Sequence, residues 1–259
     1  MGKGNARYRL LAACGLAGPV VFTAAWVTST LRQAGYSIAE EHLSGLAAPD
    51  ARDPEIMIAG FVGLGACTVA FGSALENALG GRRRAGPGPA LVRVAGIATL
   101  AAGLLRRDRM LLHPPDGVVG QSWHNDLHDV ASGVIYASLL VAPLLLARRF
   151  RGDQEWHALR LPAAATAAGS AALLGLFWSR VVEPWNGIVQ RVAVSVPLGV
   201  MAALALGLLA RGPGTRSPAD PGPVERAARG SHPDGHEPRD HEPEDHGPTG
   251  LGPVGRHTR

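Results

Sequence analysis

Apolar residues gather into six long runs along this chain, at 9–31, 54–79, 90–112, 127–147, 162–180 and 188–210. Each extends for about 20 residues, the length an α-helix needs to cross about 30 Å of hydrocarbon. The runs stay apolar on every face, unlike a helix that lies half in water. In lipid, each segment must satisfy its own backbone amides and carbonyls, so runs of this kind predict helices and not an open sheet. The pattern therefore predicts an all-α, polytopic membrane protein with six transmembrane helices in one bundle, spanning residues 1–210.

The pattern stops after residue 210. Residues 211–259 are dominated by Pro, Gly, Asp, Glu, Arg and His. A segment so poor in apolar side chains cannot offset its ordering entropy, which predicts a disordered cytoplasmic tail. The tail carries an imperfect repeat, HEPRD, HEPED and HGP, starting at His236, His241 and His246. With His232 and His257, these histidines read either as weak ligands for a transition metal or, more simply, as parts of a solvated low-complexity segment.

Charge sets the expected orientation. The net charge of +4 comes mainly from arginine, and the arginines alternate between sides. Lys3, Arg7 and Arg9, then Arg82, Arg83, Arg84 and Arg93, then Arg148, Arg149, Arg151 and Arg160, then Arg211 and Arg216 fall on one side. The positive-inside rule makes that side cytoplasmic. A multi-pass protein of the cell membrane follows, with both termini cytoplasmic and loops 32–53, 113–126 and 181–187 outward. Arg106, Arg107 and Arg109 run against the rule, and Asp108 among them offsets part of their charge. The basic balance is thus a topology signal, with the lipid bilayer as the expected partner and no nucleic acid. The first run reads as an uncleaved anchor, since no small-residue cleavage site follows it.

Within the runs, Gly15, Gly18, Gly60, Gly63, Gly65, Gly96 and Gly103 predict close helix contacts. Pro143 and Pro197 predict kinks in the fourth and sixth helices. Cys14 and Cys67 sit in apolar runs and form no secreted disulfide framework. Trp26, Trp123, Trp178 and Trp185 fall near helix ends, as in an interfacial aromatic belt. The chain has no Walker loop, H-E-x-x-H or G-x-S-x-G motif.

Titratable groups collect on the outward side. Glu40, Glu41 and His42 lie in the first loop, Asp108 at the end of the third run, His124, Asp126, His128 and Asp129 at the start of the fourth, and Arg191 at the start of the sixth. Acids near hydrocarbon need partners, so Glu41, Asp108, His128 and Arg191 are expected to form one connected polar cluster, with Arg191 pairing Asp108. His124 and His128 stand one helical turn apart, a spacing that suits two imidazole ligands on Zn²⁺. Asp108 is then the third candidate ligand. The simpler reading is a set of interfacial polar residues bonded to one another and to water.

The stretch from Tyr36 and Ser37 through Glu41-His42-Leu43-Ser44-Gly45-Leu46-Ala47-Ala48-Pro49 resembles the first outer loop of the DUF998 membrane proteins. The acid Asp108, the histidine His128 at the opening of helix four and the Gly-x-x-x-Arg step from Gly187 to Arg191 fit the same resemblance, which covers about 1–210. It implies a six-helix fold with an outward polar cluster and names no reaction.

Three function classes fit these readings. The first, a non-enzymatic regulator, assembly factor or scaffold, leads. A metal-dependent membrane hydrolase acting on a lipid or envelope substrate is the alternative. It would use Zn²⁺ on His124, His128 and Asp108 to activate water, Glu41 as base and Ser37 or Ser44 at the oxyanion, which makes Glu41, Ser44 and Asp108 the catalytic candidates. A small carrier using a carboxylate and histidine path is the third, weakened by the lack of an inverted repeat.

Overall fold

A computed structural model describes residues 3–113 and 121–212; of the tail expected at 211–259, Arg211 ends the last helix and residues 213–259 lie outside the described residues. Six main helices form: α1 (Lys3–Arg32), α2 (Pro54–Ala78), α3 (Gly88–Leu104), α4 (Trp123–Phe150), α5 (Arg160–Trp178) and α6 (Asn186–Arg211). No strand occurs among the described residues. Five of these helices are long and apolar enough to cross a membrane, while α3, at 17 residues, falls short of that length.

The third apolar run does not remain helical to its end. Leu105 leaves helical geometry at φ −94° and ψ 81°, so Arg106, Arg107, Asp108 and Arg109 lie beyond the helix. Four consecutive charged residues are costly in a membrane helix, and leaving α3 at Leu104 moves them out of it. The helix end is closed by His128, whose Nδ1 lies 2.9 Å from the Ala102 carbonyl and 2.8 Å from that of Leu105. Those carbonyls have no partner within α3.

The helices pack in chain order, each on the next, and α6 returns to pack on α1. The result is a closed ring in which α6 barely touches α2 and α4 across the middle. Loop 33–53, segments 105–113 and 121–122, and loop 179–185 gather at one end. The opposite end carries a second set of basic residues, several of them paired. Arg93 meets Glu76 at 2.6 Å, and Arg211 lies 4.5 Å over the Trp156 ring and 3.5 Å from Glu155.

Burial follows the surroundings expected in lipid. Phe71, Leu75, Leu79, Phe150 and Leu208 are fully buried. Large apolar side chains such as Leu10, Val20, Ile97, Val130, Leu161 and Leu206 point outward from five helices, and α2 alone exposes none. Glycine permits the tightest crossing. A Cβ on Gly96 would stand 2.7 Å from the Gly65 carbonyl oxygen, and one on Gly65 would meet Gly96 in the same way. Cys14 of α1 and Cys67 of α2 are neighbours across the α1–α2 contact, both as free thiols. Pro143 and Pro197 lie inside α4 and α6 as expected, and Pro19 inside α1 joins them. Trp123, Trp178 and Trp185 stand exposed at the loop-rich end, whereas Trp26 is partly covered.

Candidate functional site

The first outer loop folds over the start of α6. Gly187 and Ile188 donate their N–H groups to the Ala39 carbonyl at 2.7 and 3.3 Å. These are unpaired amides of the helix's first turn, where the helix dipole also favours an oxygen. Only glycine permits this seat, because a Cβ at 187 would run into the carbonyl oxygens of Ile38, Ala39 and Glu41.

Arg191, one turn further, ties the loop down. Its Nη1 donates to the carbonyls of Gly187, Ile38 and Glu41 at 2.8, 3.0 and 3.0 Å. Its Nη2 donates to the Tyr36 hydroxyl at 2.6 Å. That hydroxyl donates in turn to the carbonyls of His42 and Glu41 at 3.0 and 3.3 Å. Burial pushes the Tyr36 phenol up from its ordinary value against the pull of Arg191, so the group keeps its proton. Beside Arg191, Gln190 accepts from the Leu43 N–H at 2.7 Å and donates to the Tyr136 hydroxyl at 3.0 Å.

A second set of ties holds the segment after α3. The Glu41 carboxylate, 6% exposed, accepts from the Leu112 N–H at 2.7 Å. Asp50 accepts from the Met110 N–H at 2.8 Å. Asp108 accepts from the Ser122 hydroxyl at 2.5 Å and the Ser122 N–H at 2.7 Å. These two bonds hold the Asp108 carboxyl below the usual carboxylate range, with His124 and Arg107 adding to the effect. Ser122 also caps α4 by accepting from the Asn125 N–H, and Asn125 reaches Asp129 at 3.1 Å.

Between the two sets lies His42. Its Nδ1 stands 3.3 Å from Arg107 Nη1, its Nε2 is buried without a partner, and its ring packs on Phe177 at 5.0 Å. Burial first, then the charges of Arg107 and Arg191, bring its pKa down to about 3. The ring is therefore neutral and accepts from Arg107 through Nδ1. Burial lowers the Arg107 guanidinium from its ordinary value, while Asp129, Glu41 and Asp108 draw it back.

Beneath this cap the middle of the ring is open. A chamber of about 60 Å³ is lined by Ser44, His128, Ser132, Tyr136 and Gln190 together with apolar side chains. A second chamber of about 90 Å³, further from the cap, is almost wholly apolar, with Phe71, Leu139, Pro143, Leu146, Pro197 and Leu204 in its wall.

The four residues of the expected cluster all sit at this end, with different partners from those anticipated. Arg191 meets Glu41 through the latter's backbone carbonyl and not its carboxylate. Asp108 is held by Ser122, so the expected Asp108–Arg191 pairing is replaced by two separate anchorages. The reason is competition: Arg191 is surrounded by loop carbonyls, and Asp108 lies beside the cap of α4. His124 and His128 also part company. His124 is exposed and stacks on Trp123 at 3.6 Å, while His128 is 2% exposed and turned to the end of α3. Among the described residues no group of three or more His, Cys, Asp or Glu side chains could hold a metal ion, so His124, His128 and Asp108 do not assemble as a ligand set. Sequence alone assigns no role to Ser122, Asn125 or Gln190, and places His42 and Arg107 only among the outward titratable groups and the charges beside Asp108. Of these, only Ser122 carried a usable signal, as a helix cap before an apolar run.

Comparison with known families now adds to the geometry. A family described as "Protein of unknown function (DUF998)" matches residues 16–207, covering all six helices in whole or large part. The chain is a DUF998 protein. No curated protein and no solved structure matches it. The matched DUF998 region contains both halves of the cap, from Tyr36 to Arg191, and both chambers.

Proposed function

We propose that this DUF998 protein is a six-span protein of the cell membrane, with both termini cytoplasmic, that works without catalysing a reaction, as a scaffold, assembly factor or regulator. One observation carries the non-enzymatic reading. The charged groups of the outer end bond to backbone: Arg191 to three carbonyls, and Glu41 and Asp50 to loop amides. A catalytic carboxylate needs its oxygens free to face a substrate or a water. Here they fasten loops to helix ends. At 1.5 Å per residue, α3 reaches about 25 Å, enough to count as the sixth span in a slightly thinned bilayer.

Two measurements test the reading. Cysteines introduced singly at Glu40 and Arg83, in a chain lacking Cys14 and Cys67, report the orientation. An impermeant maleimide on intact cells labels position 40 and spares position 83, and the reverse pattern inverts the topology. The second measurement compares Glu41→Gln, Asp108→Asn and Arg191→Gln for melting temperature in detergent and for complementation of a deletion strain. Complementation follows melting temperature if the groups are structural. A variant that melts like the parent and fails to complement would show that the cluster does chemistry.

A further inference from the structure

The two chambers inside the ring adjoin. Leu64, Thr99, Ile135 and Val194 line both, so the chambers are stacked along the ring axis. Along α4 the combined wall runs from His128 to Leu146, roughly 27 Å at 1.5 Å per residue. The slot is therefore long, narrow and polar at one end only.

The polar end has a specific hydrogen-bonding character. Ser44, His128, Tyr136 and Gln190 are each nine-tenths buried or more. His128 holds the α3 carbonyls with Nδ1, which makes Nδ1 the protonated nitrogen and leaves Nε2 as an acceptor. The Tyr136 oxygen accepts from Gln190, so its own proton remains to be given. The hydroxyls of Ser44 and Ser132 belong to the same chamber wall. Buried polar groups without partners cost free energy, and this chamber gathers several donors and acceptors. By contrast, Thr68 and Thr99 give their protons to the carbonyls of Leu64 and Ala95 at 2.7 and 2.8 Å. They offer little to a guest, and the lower chamber is effectively apolar.

Charge is absent. No Lys, Arg, Asp or Glu lines either chamber among the described residues. An anionic head group would lose its hydration there without a counter-charge, which is prohibitive. A hydroxyl has no such cost, and it can donate to His128 Nε2 while accepting from Tyr136 or a serine. The slot is narrow along its length, which suits a single hydrocarbon chain better than the two tails of a bilayer lipid.

From this geometry we infer that the ring is a binding site for a single-chain amphiphile with an uncharged hydroxyl head group, seated head-up among Ser44, His128, Ser132 and Tyr136. The inference goes beyond the scaffold reading and does not depend on the orientation of the chain in the membrane.

The test uses the full chain in nanodiscs and hexadecanol carrying a diazirine at the far end of its chain. Hexadecanoic acid and hexadecyl phosphate with the same diazirine serve as comparisons. The alcohol is expected to label Leu139, Leu146 or Leu204 in the lower chamber, and excess plain hexadecanol is expected to suppress that label. Ser44→Ala and Ser132→Ala, which remove one hydroxyl each and no packing, should each weaken the competition roughly fivefold, the equivalent of one neutral hydrogen bond. Leu139→Trp should fill the slot and remove the label, with its melting temperature checked alongside. Labelling spread equally over outward-facing Val20, Ile97 and Leu161 would overturn the inference. Equal labelling by the acid or phosphate would overturn the head-group assignment, as would unchanged competition in both serine variants. None of these outcomes bears on the topology or complementation measurements above.

Discussion

Arg191 and Tyr36 clasp each other across 155 residues of sequence, through a 2.6 Å hydrogen bond from Nη2 to the phenol oxygen. The guanidinium carbon also lies 5.6 Å from the Tyr36 ring centre and 5.6 Å from that of Trp26. The contact joins α6 to the first outer loop and is the centre of the cap. Arg191→Gln is expected to cost about 3 kcal/mol or more, because three carbonyls and a phenol lose a charged donor. Tyr36→Phe is expected to cost about 1–2 kcal/mol. In a double-mutant cycle followed by thermal unfolding in detergent, the pair should couple by about 1 kcal/mol or more. The same cycle on Asp108→Asn and Arg191→Gln should be nearly additive, since each of those residues is anchored elsewhere. Coupling in the second cycle as large as in the first would contradict the geometry.

Gly187 should tolerate no side chain. Gly187→Ala is expected to lift the loop off the start of α6 and to destabilise by about 1–3 kcal/mol, the usual range for overpacking. Limited proteolysis should then cut within 33–53 faster than in the parent. Unchanged cleavage would mean that the carbonyl seat is looser than the structure shows.

His42 gives the cap a pH dependence whose sign is fixed. Its folded pKa is about 3, against about 6.5 for the unfolded chain. Between those values the unfolded state binds the extra proton, so stability falls as pH drops below about 6.5 and is flat above it. Asp108 adds a second loss at lower pH. Its lowered carboxyl contributes stability above the ordinary carboxylate pKa, and that contribution disappears as pH falls through its folded value. Unfolding midpoints in detergent from pH 7 to pH 4 should fall less steeply in His42→Gln than in the parent. Parallel curves would show that His42 titrates normally.

Cys14 and Cys67 should report the α1–α2 interface. Oxidation of membranes with copper phenanthroline should link them, because the two thiols are neighbours across this interface. After cleavage in loop 33–53, the two fragments should remain joined on a non-reducing gel and separate on adding a thiol. Fragments that separate without reduction would place the two helices further apart.

The helices were legible because each apolar run had to satisfy a constraint of length and composition. The end of α3 was not. Read by hydropathy, 90–112 is one segment, but the helix stops at Leu104 and a histidine from another helix covers its carbonyls. That cap is tertiary, and no local signal announces it. The candidate site was legible as a place and not as a set of pairs. Counting charges by side put Glu41, Asp108, His128 and Arg191 at one end, which is where they lie. It could not foresee that backbone carbonyls would outcompete Asp108 for Arg191, because main-chain groups are identical in every loop and leave no trace in residue identity. The chambers were invisible for a similar reason. Ser44, Ser132 and Tyr136 matter through the unoccupied space they share, and that space follows from how the ring closes.

The return of α6 onto α1 has a consequence for biogenesis. Helices that follow one another around a circle can be released into the bilayer in order, each finding its neighbour already in place, until the final one must seat against two at once. Up to that moment the flanks of α1 and α5 that meet α6, Gly15 of α1 among them, face lipid or a chaperone instead of the last helix. A ribosome stalled before Asn186 would therefore leave an open horseshoe whose two free edges are complementary to the missing helix. Supplying α6 as a separate segment should close it, so the last helix is the step at which assembly of this protein is won or lost.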